Sequence, residues 1–110
     1  MGKETRINKL TRGELKVIIL ALLTKNPLCG HELKLEIFQQ FRILPSSGTL
    51  YPLLHELENL GLLKSSQGIK TKTYELIKKE SILKIIGEHV QAKDSFNHFL
   101  KSAIIGPDNS

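Results

Sequence analysis

The chain has no tryptophan, one cysteine and one methionine among its 110 residues. A lone Cys29 cannot close a disulfide within the chain or join a cysteine cluster around zinc. A reduced, cytoplasmic setting follows as the expectation, with Cys29 as a small core residue. Long hydrophobic runs are also missing. The longest, Val17–Leu23, falls far short of the roughly 20 residues that span a bilayer. The first residues are too polar for a signal peptide and carry no lipidation motif, so no membrane role is expected. Internal repeats and low-complexity segments are absent from the sequence.

Catalytic patterns are scarce as well. His31-Glu32 and His55-Glu56 begin like a zinc-protease helix, which needs a second His four residues after the first. Leu35 and Asn59 stand at those places. His89 and His98 lie on nearly opposite sides of a helix at about 3.6 residues per turn. No glycine-rich phosphate loop is present. Neither an enzyme nor a metal or cofactor site is expected.

What the chain does have is positive charge, with 16 Lys and Arg against 11 Asp and Glu. The excess is localised. Residues 1–16 hold five bases and two acids, and residues 61–79 hold five bases and one acid. The remaining two segments, 17–60 and 80–110, each have one more acid than bases. Two basic segments on either side of a near-neutral stretch favour an acidic partner.

The periodicity predicts three helices, a hairpin and a last long helix. Thr11 and Glu14 form a capping-box pattern, with Leu10 and Leu15 at the staple positions. The following run is apolar at Leu15, Ile18, Ile19, Leu22 and Leu23 and ends at Asn26-Pro27. Gly30 opens a second helix carrying Leu33, Ile37, Phe38 and Phe41. Ile43-Leu44-Pro45 is an extended connection. Ser46 and Ser47 are both N-cap candidates for a third helix, with Leu50, Leu53, Leu54, Leu57 and Leu60 on one face. Pro52 falls near its first turn, where a missing N–H costs least, and Gly61 stops it. Segments 62–66 and 70–77 read as hairpin strands, with Gly68 supplying a positive φ at the turn and Tyr74 and Leu76 facing inward. A helix over about residues 79–104 follows, with Ser81 as the cap of an alternative, later start.

This order gives a mainly α chain with a small β-hairpin: a winged helix-turn-helix plus a long C-terminal helix. Residues 1–78 form the DNA-binding domain with a basic N-terminal arm (Lys3, Arg6, Lys9, Arg12). Residues 79–105 form a dimerisation helix, and residues 106–110 a flexible tail. In such folds the third helix enters the major groove. With its leucines committed to the core, it offers Ser46, Ser47, Thr49, Tyr51, His55 and Asn59, and no Lys or Arg. Lys70 and Lys72, two apart, project from one side of their strand, with Lys64 on the partner strand. These three are placed to neutralise phosphates.

The last helix argues for a homodimer. Its 23 residues from Ile82 to Ile104 extend about 34 Å, too far for all of it to pack on a small domain. Ile82, Ile86, Val90, Phe96, Phe99, Leu100 and Ile104 are the expected interface. A two-fold dimer would present two recognition helices to a pseudo-palindromic operator.

Leu28-Cys29-Gly30-His31-Glu32-Leu33, followed by Ser47-Gly48-Thr49-Leu50-Tyr51-Pro52-Leu53-Leu54 and then Leu57-Glu58-Asn59-Leu60-Gly61-Leu62-Leu63, resembles the PadR family of transcriptional regulators. The likeness covers roughly residues 15–76. It implies a prokaryotic winged-helix repressor that dimerises through a single C-terminal helix. It also implies DNA-reading roles for Ser47, Thr49, Tyr51, Pro52, Lys70 and Lys72. Two departures stand out: His31 replaces the family's usual tyrosine, and Glu80 replaces a glycine after the wing. Some relatives hold planar aromatic effectors with tryptophan, so a small-molecule effector has no support in this tryptophan-free chain. Readings from other classes are a protein-interaction module built on a winged helix and a sequence-tolerant nucleoid-type DNA binder.

Overall fold

A computed structural model describes residues 10–105 of the chain. The basic residues Lys3, Arg6 and Lys9 and the tail 106–110 lie outside the described residues. The element order is α1 (Arg12–Leu23), β1 (Leu28–Cys29), α2 (Gly30–Phe41), α3 (Ser47–Asn59), β2 (Leu63–Gln67), β3 (Lys72–Leu76) and α4 (Lys79–Ile105).

The helix boundaries follow local chemistry. At α1, the Glu14 N–H donates to Thr11 Oγ1 at 3.0 Å, and Glu14 Oε1 accepts from the Thr11 N–H at 2.9 Å. That reciprocal pair satisfies two main-chain donors that the first turn leaves free. The Thr11 N–H, assisted by Lys93, holds the Glu14 carboxyl below its ordinary pKa. Ser46 is the cap of α3, its Oγ accepting from the Thr49 N–H. The far end of α3 closes as a Schellman turn. Gly61 takes φ 79°, its N–H reaches Glu58 O at 2.9 Å, and the Leu62 N–H reaches Leu57 O at 3.0 Å. Pro52 is the sixth residue of α3, so its missing N–H removes a bond to the Gly48 carbonyl.

Leucine and isoleucine make the core. Leu15, Ile19, Leu20 and Leu23 of α1 meet Leu33 and Ile37 of α2, and Leu50, Leu53, Leu54 and Leu57 of α3. Leu63 and Tyr74 of the sheet close it from below, and Ile82 of α4 enters from the side. Full burial of each such side chain contributes about 1.5–3 kcal/mol before entropy is counted.

The sheet differs from the expected hairpin by one strand. β3 is central, with order β1-β3-β2 and both pairings antiparallel. β1 pairs Leu28 with Tyr74 and Cys29 with Thr73, while β2 pairs Leu63 with Leu76 and Ser65 with Tyr74. A two-residue strand has no room to show an alternating pattern, so its strand character comes from β3 rather than from its own residues. The turn also differs. Gly68 does not take a positive φ. A four-residue loop closes instead by the Gly68 N–H donating to Thr71 O at 2.7 Å, which needs no left-handed residue at Gly68.

α4 runs for 27 residues from Lys79, so the later start at Ser81 is not used. Ile82 has no exposed surface and belongs to the chain's own core, with Ile86 packed against that core. Both had been expected at a dimer interface. The position of Ile82 in the first turn of α4, where the helix still rests on the domain, puts it inside instead, while Ile86 is half-buried against the core. Lys93 Nζ lies 3.3 Å from Glu14 Oε2, tying α4 to α1. Beyond it, every described side chain of α4 is exposed. The molecule is accordingly elongated, 62 × 38 × 21 Å with a radius of gyration of 16.8 Å, against about 13 Å for a compact chain of this length.

Candidate nucleic-acid interface

α3, the start of α2 and the wing enclose a groove of about 390 Å³. Cys29, Gly30 and His31 form one wall, Tyr51 and His55 of α3 another, and Lys70, Thr71, Lys72 and Tyr74 of the wing the third. A second cavity of about 440 Å³ lies between α1 and α2. It shares no lining residue with the groove and presents one base and one acid, Lys25 and Glu36. The first cavity is the one with the chemistry of an anion-binding surface.

Sheet register sorts the wing cations. Lys72, Tyr74 and Leu76 alternate onto the face that meets the helices, because successive strand residues point to opposite faces. Ser65, opposite Tyr74, shares that face and donates to Glu58 Oε2 of α3 at 2.6 Å. The Lys72 ammonium stands 6.0 Å from the Tyr74 ring centroid. Burial, aided by the nearby Glu58 carboxylate, pushes the Tyr74 phenol above its ordinary pKa. Lys64 is out of step with this set. It pairs with Glu75 in register and in charge, Nζ to Oε2 3.4 Å, on the opposite face of the sheet. Lys70 precedes β3 and sits in the loop, so it and Lys72 share the groove without sharing a strand.

The residues of α3 divide similarly. Ser46 is engaged as the cap, its hydroxyl donating to Thr49 Oγ1 at 3.1 Å. Ser47, Tyr51, Pro52, His55 and Asn59 are exposed, and Thr49 is half-buried. His55 Nδ1 lies 3.9 Å from Glu58. Glu56 faces α1, where Lys16 and Arg12 both pair with it. The Lys16 hydrogen bond is the main cause of its lowered pKa. Arg12, expected in the basic N-terminal arm, is therefore bonded to α3, its guanidinium 3.4 Å from Glu56 Oε1.

Tyr51 reaches its place because residue 30 is a glycine. A Cβ built there would stand 2.2 Å from the Tyr51 hydroxyl oxygen and 2.6 Å from ring carbon Cζ. The phenol thus lies directly over the α2 backbone. Gly30→Ala is expected to drive Tyr51 out of the groove and to weaken a specific DNA site more than a random duplex. In a Tyr51→Ala background the same change should cost almost nothing, which a double-mutant cycle read by DNA binding and melting checks. An equal loss in both backgrounds would separate Gly30 from Tyr51.

Besides Gly30 and Tyr74, three groove residues were not among the expected contacts. Cys29, expected in the core, is half-buried at the groove wall. His31 and Thr71 line the groove through tertiary placement alone. A fourth residue approaches α3 from outside it: Lys34 of α2, whose ammonium donates to Ser47 Oγ at 2.8 Å. Thirteen positions separate the pair, and no local pattern connects them. Among the described residues no group of three or more His, Cys, Asp or Glu is arranged to hold a metal ion, and no described helix is long and apolar enough to cross a membrane.

The fold recurs in known transcription regulators. A PadR-like transcription factor from Bacteroides fragilis superposes with a TM-score of 0.69 and 27% identity, covering 84% of this chain and 91% of that one. The transcriptional activator GvpE of Haloferax mediterranei is 28% identical over 90 residues, 82% of this chain and 47% of the relative. GvpE2 of Halobacterium salinarum is 30% identical over 77 residues, 70% of this chain and 38% of the relative. The chain thus spans less than half the length of these curated relatives. The model of the transcriptional regulator PadR-like family matches residues 19–79, from α1 through the wing to the first residue of α4. The family consists of transcription regulators, not enzymes, and its match covers more than half the chain. With its winged-helix fold, the chain belongs to the transcriptional regulator PadR-like family.

Proposed function

We propose that this regulator is a cytoplasmic homodimer that binds a pseudo-palindromic operator and represses by occupying it. In this reading residues 1–78 are the DNA-binding part and residues 79–105 the dimerisation helix. α3 enters the major groove with Ser47, Thr49, Tyr51, Pro52 and His55 toward the bases and backbone. Lys70 and Lys72 contact phosphates beside it. Lys64 and Ser46, engaged with Glu75 and with the α3 cap, are left out of the contact set.

The observation that carries the reading is the groove itself. It sets the exposed recognition-helix residues Tyr51 and His55 beside Lys70 and Lys72, which is the division between base readout and phosphate positioning that specific DNA binding uses. The sign of control has a second reading. Both haloarchaeal relatives are named activators, whereas repression needs only that a bound dimer exclude polymerase.

Selection of bound sequences from a random duplex pool tests the core of the proposal. A two-fold symmetric motif is the expected result. Binding without enrichment would make the protein a sequence-tolerant nucleoid-type binder, and no binding would favour a protein partner. A promoter carrying the selected motif then reads the sign: lower reporter output means repression, and higher output means activation.

A further inference from the structure

Residues Gly30 and Lys34 of α2 are one helical turn apart, and so are Ser47 and Tyr51 of α3. The two pairs meet as two rungs. Gly30 receives the Tyr51 phenol, and Lys34 donates to Ser47 Oγ at 2.8 Å. α3 itself contains no Lys or Arg. Of the other described cations around α3, Arg12 and Lys16 are engaged by Glu56 and Lys64 by Glu75, while Lys70 and Lys72 stand on the wing side of the groove. Lys34 is held by a neutral hydroxyl, and among the described residues it has no carboxylate within ion-pair distance.

Resting on the DNA-binding reading above, we infer that Lys34 is the recognition helix's own phosphate contact, supplied from α2 and positioned by Ser47. The hydrogen-bond inventory fits one phosphate. Ser47 accepts from Lys34 through an oxygen lone pair, which leaves its O–H free to donate. The ammonium has three N–H donors, and Ser47 takes one. Two neighbouring donor groups then remain available, a charged N–H and an O–H, matching two oxygens of a single backbone phosphate. Ser46 cannot share this role, because its hydroxyl is already bonded within the cap. Lys34 thus places a cation at the start of α3, while Lys70 and Lys72 place two beside its middle. Cations at both places fix how α3 lies along the groove.

Binding to a random-sequence duplex and to the selected operator, each across a salt series, tests the inference in the full chain. Lys34→Met keeps the aliphatic stem and removes the charge. It should lower affinity for both duplexes about fivefold at physiological salt and reduce the salt slope by about 0.9, the signature of one lost phosphate. Lys34→Arg should restore the slope. Ser47→Ala should retain the slope, since the charge remains, while losing part of the affinity. An unchanged slope in Lys34→Met overturns the inference while the wild-type protein still binds, and a lower melting temperature with an unchanged slope does the same by making Lys34 a strut between helices. Failure of the wild-type protein to bind either duplex overturns the DNA-binding reading as well.

Discussion

Phe99→Asp is expected to convert the protein to monomers and to lower operator affinity by about 10²–10⁴-fold. Phe96, Phe99 and Ile104 are 56%, 68% and 84% exposed, and with Leu100 they recur at helical spacing along the part of α4 that leaves the domain. Such a stripe has no stabilising role in a solitary chain. Burying it against a second copy is the simplest way to remove it from water. A carboxylate at Phe99 is harmless in the monomer, where water solvates it, and costly in a dimer, where it is buried without a partner. Losing the dimer removes the second recognition helix from the complex, and with it the gain from a linked second half-site, which sets the size of the effect. Sizing or sedimentation checks the mass, and titration of the selected operator checks the affinity. Lys101→Asp, two residues on and roughly on the opposite side of the helix, is the control and should remain dimeric. A persistent dimer in Phe99→Asp would move the interface off this stripe. The proximal part of α4 is unsuited to the same test, because Ile82 belongs to the core and its loss would destabilise each chain alone.

The contrast between Ile82 and Phe99 shows what the sequence could convey. Both are large apolar residues on the same amphipathic helix, so the apolar pattern groups them together. Only the length of the domain they pass decides which is covered. Local signals fared better. The Thr11–Glu14 box, a serine cap at the start of α3, the leucine face from Leu50 to Leu57 and the glycine stop at Gly61 are settled within four or five residues, where hydrogen-bonding geometry is nearly independent of the rest of the fold. Leu60, expected on that face, is the C-cap and is exposed. The candidate site lies at the other extreme. Tyr51 and Lys72 were legible because each is exposed for reasons visible on its own element. Lys34 and His31 reach the surface around α3 only through helix packing. Lys64 shows the sharpest limit, since strand side chains alternate and a single step of register decides whether a lysine faces the groove or Glu75. The same step separates it from Lys72, which is why counting wing lysines gave three candidates and the sheet gives two, Lys70 from the loop and Lys72 from β3.

Lys70→Ala combined with Lys72→Ala is expected to weaken binding to any duplex about 30-fold at physiological salt and to reduce the salt slope by about 1.8. Each phosphate contact contributes about 0.9 to that slope through counterion release, so two contacts set both figures. Both lysines are exposed and line the groove beside Tyr51 and His55. Neither forms an ion pair with a described carboxylate, so the loss falls on DNA binding rather than on the fold. Melting temperature should therefore stay near that of the parent protein. Lys64→Ala is the informative companion. Its ammonium is paired with Glu75 on the far face of the sheet, and its removal should change the slope by much less than one contact. If the double variant keeps the parental slope, the wing is not on the phosphates. If Lys64→Ala instead reduces the slope as much as one groove lysine, the wing meets DNA by its outer face, and the groove between α3 and β3 is left without its phosphate contacts. The two slopes together thus decide which face of a three-stranded sheet the DNA backbone follows, a question that affinity at a single salt concentration does not resolve.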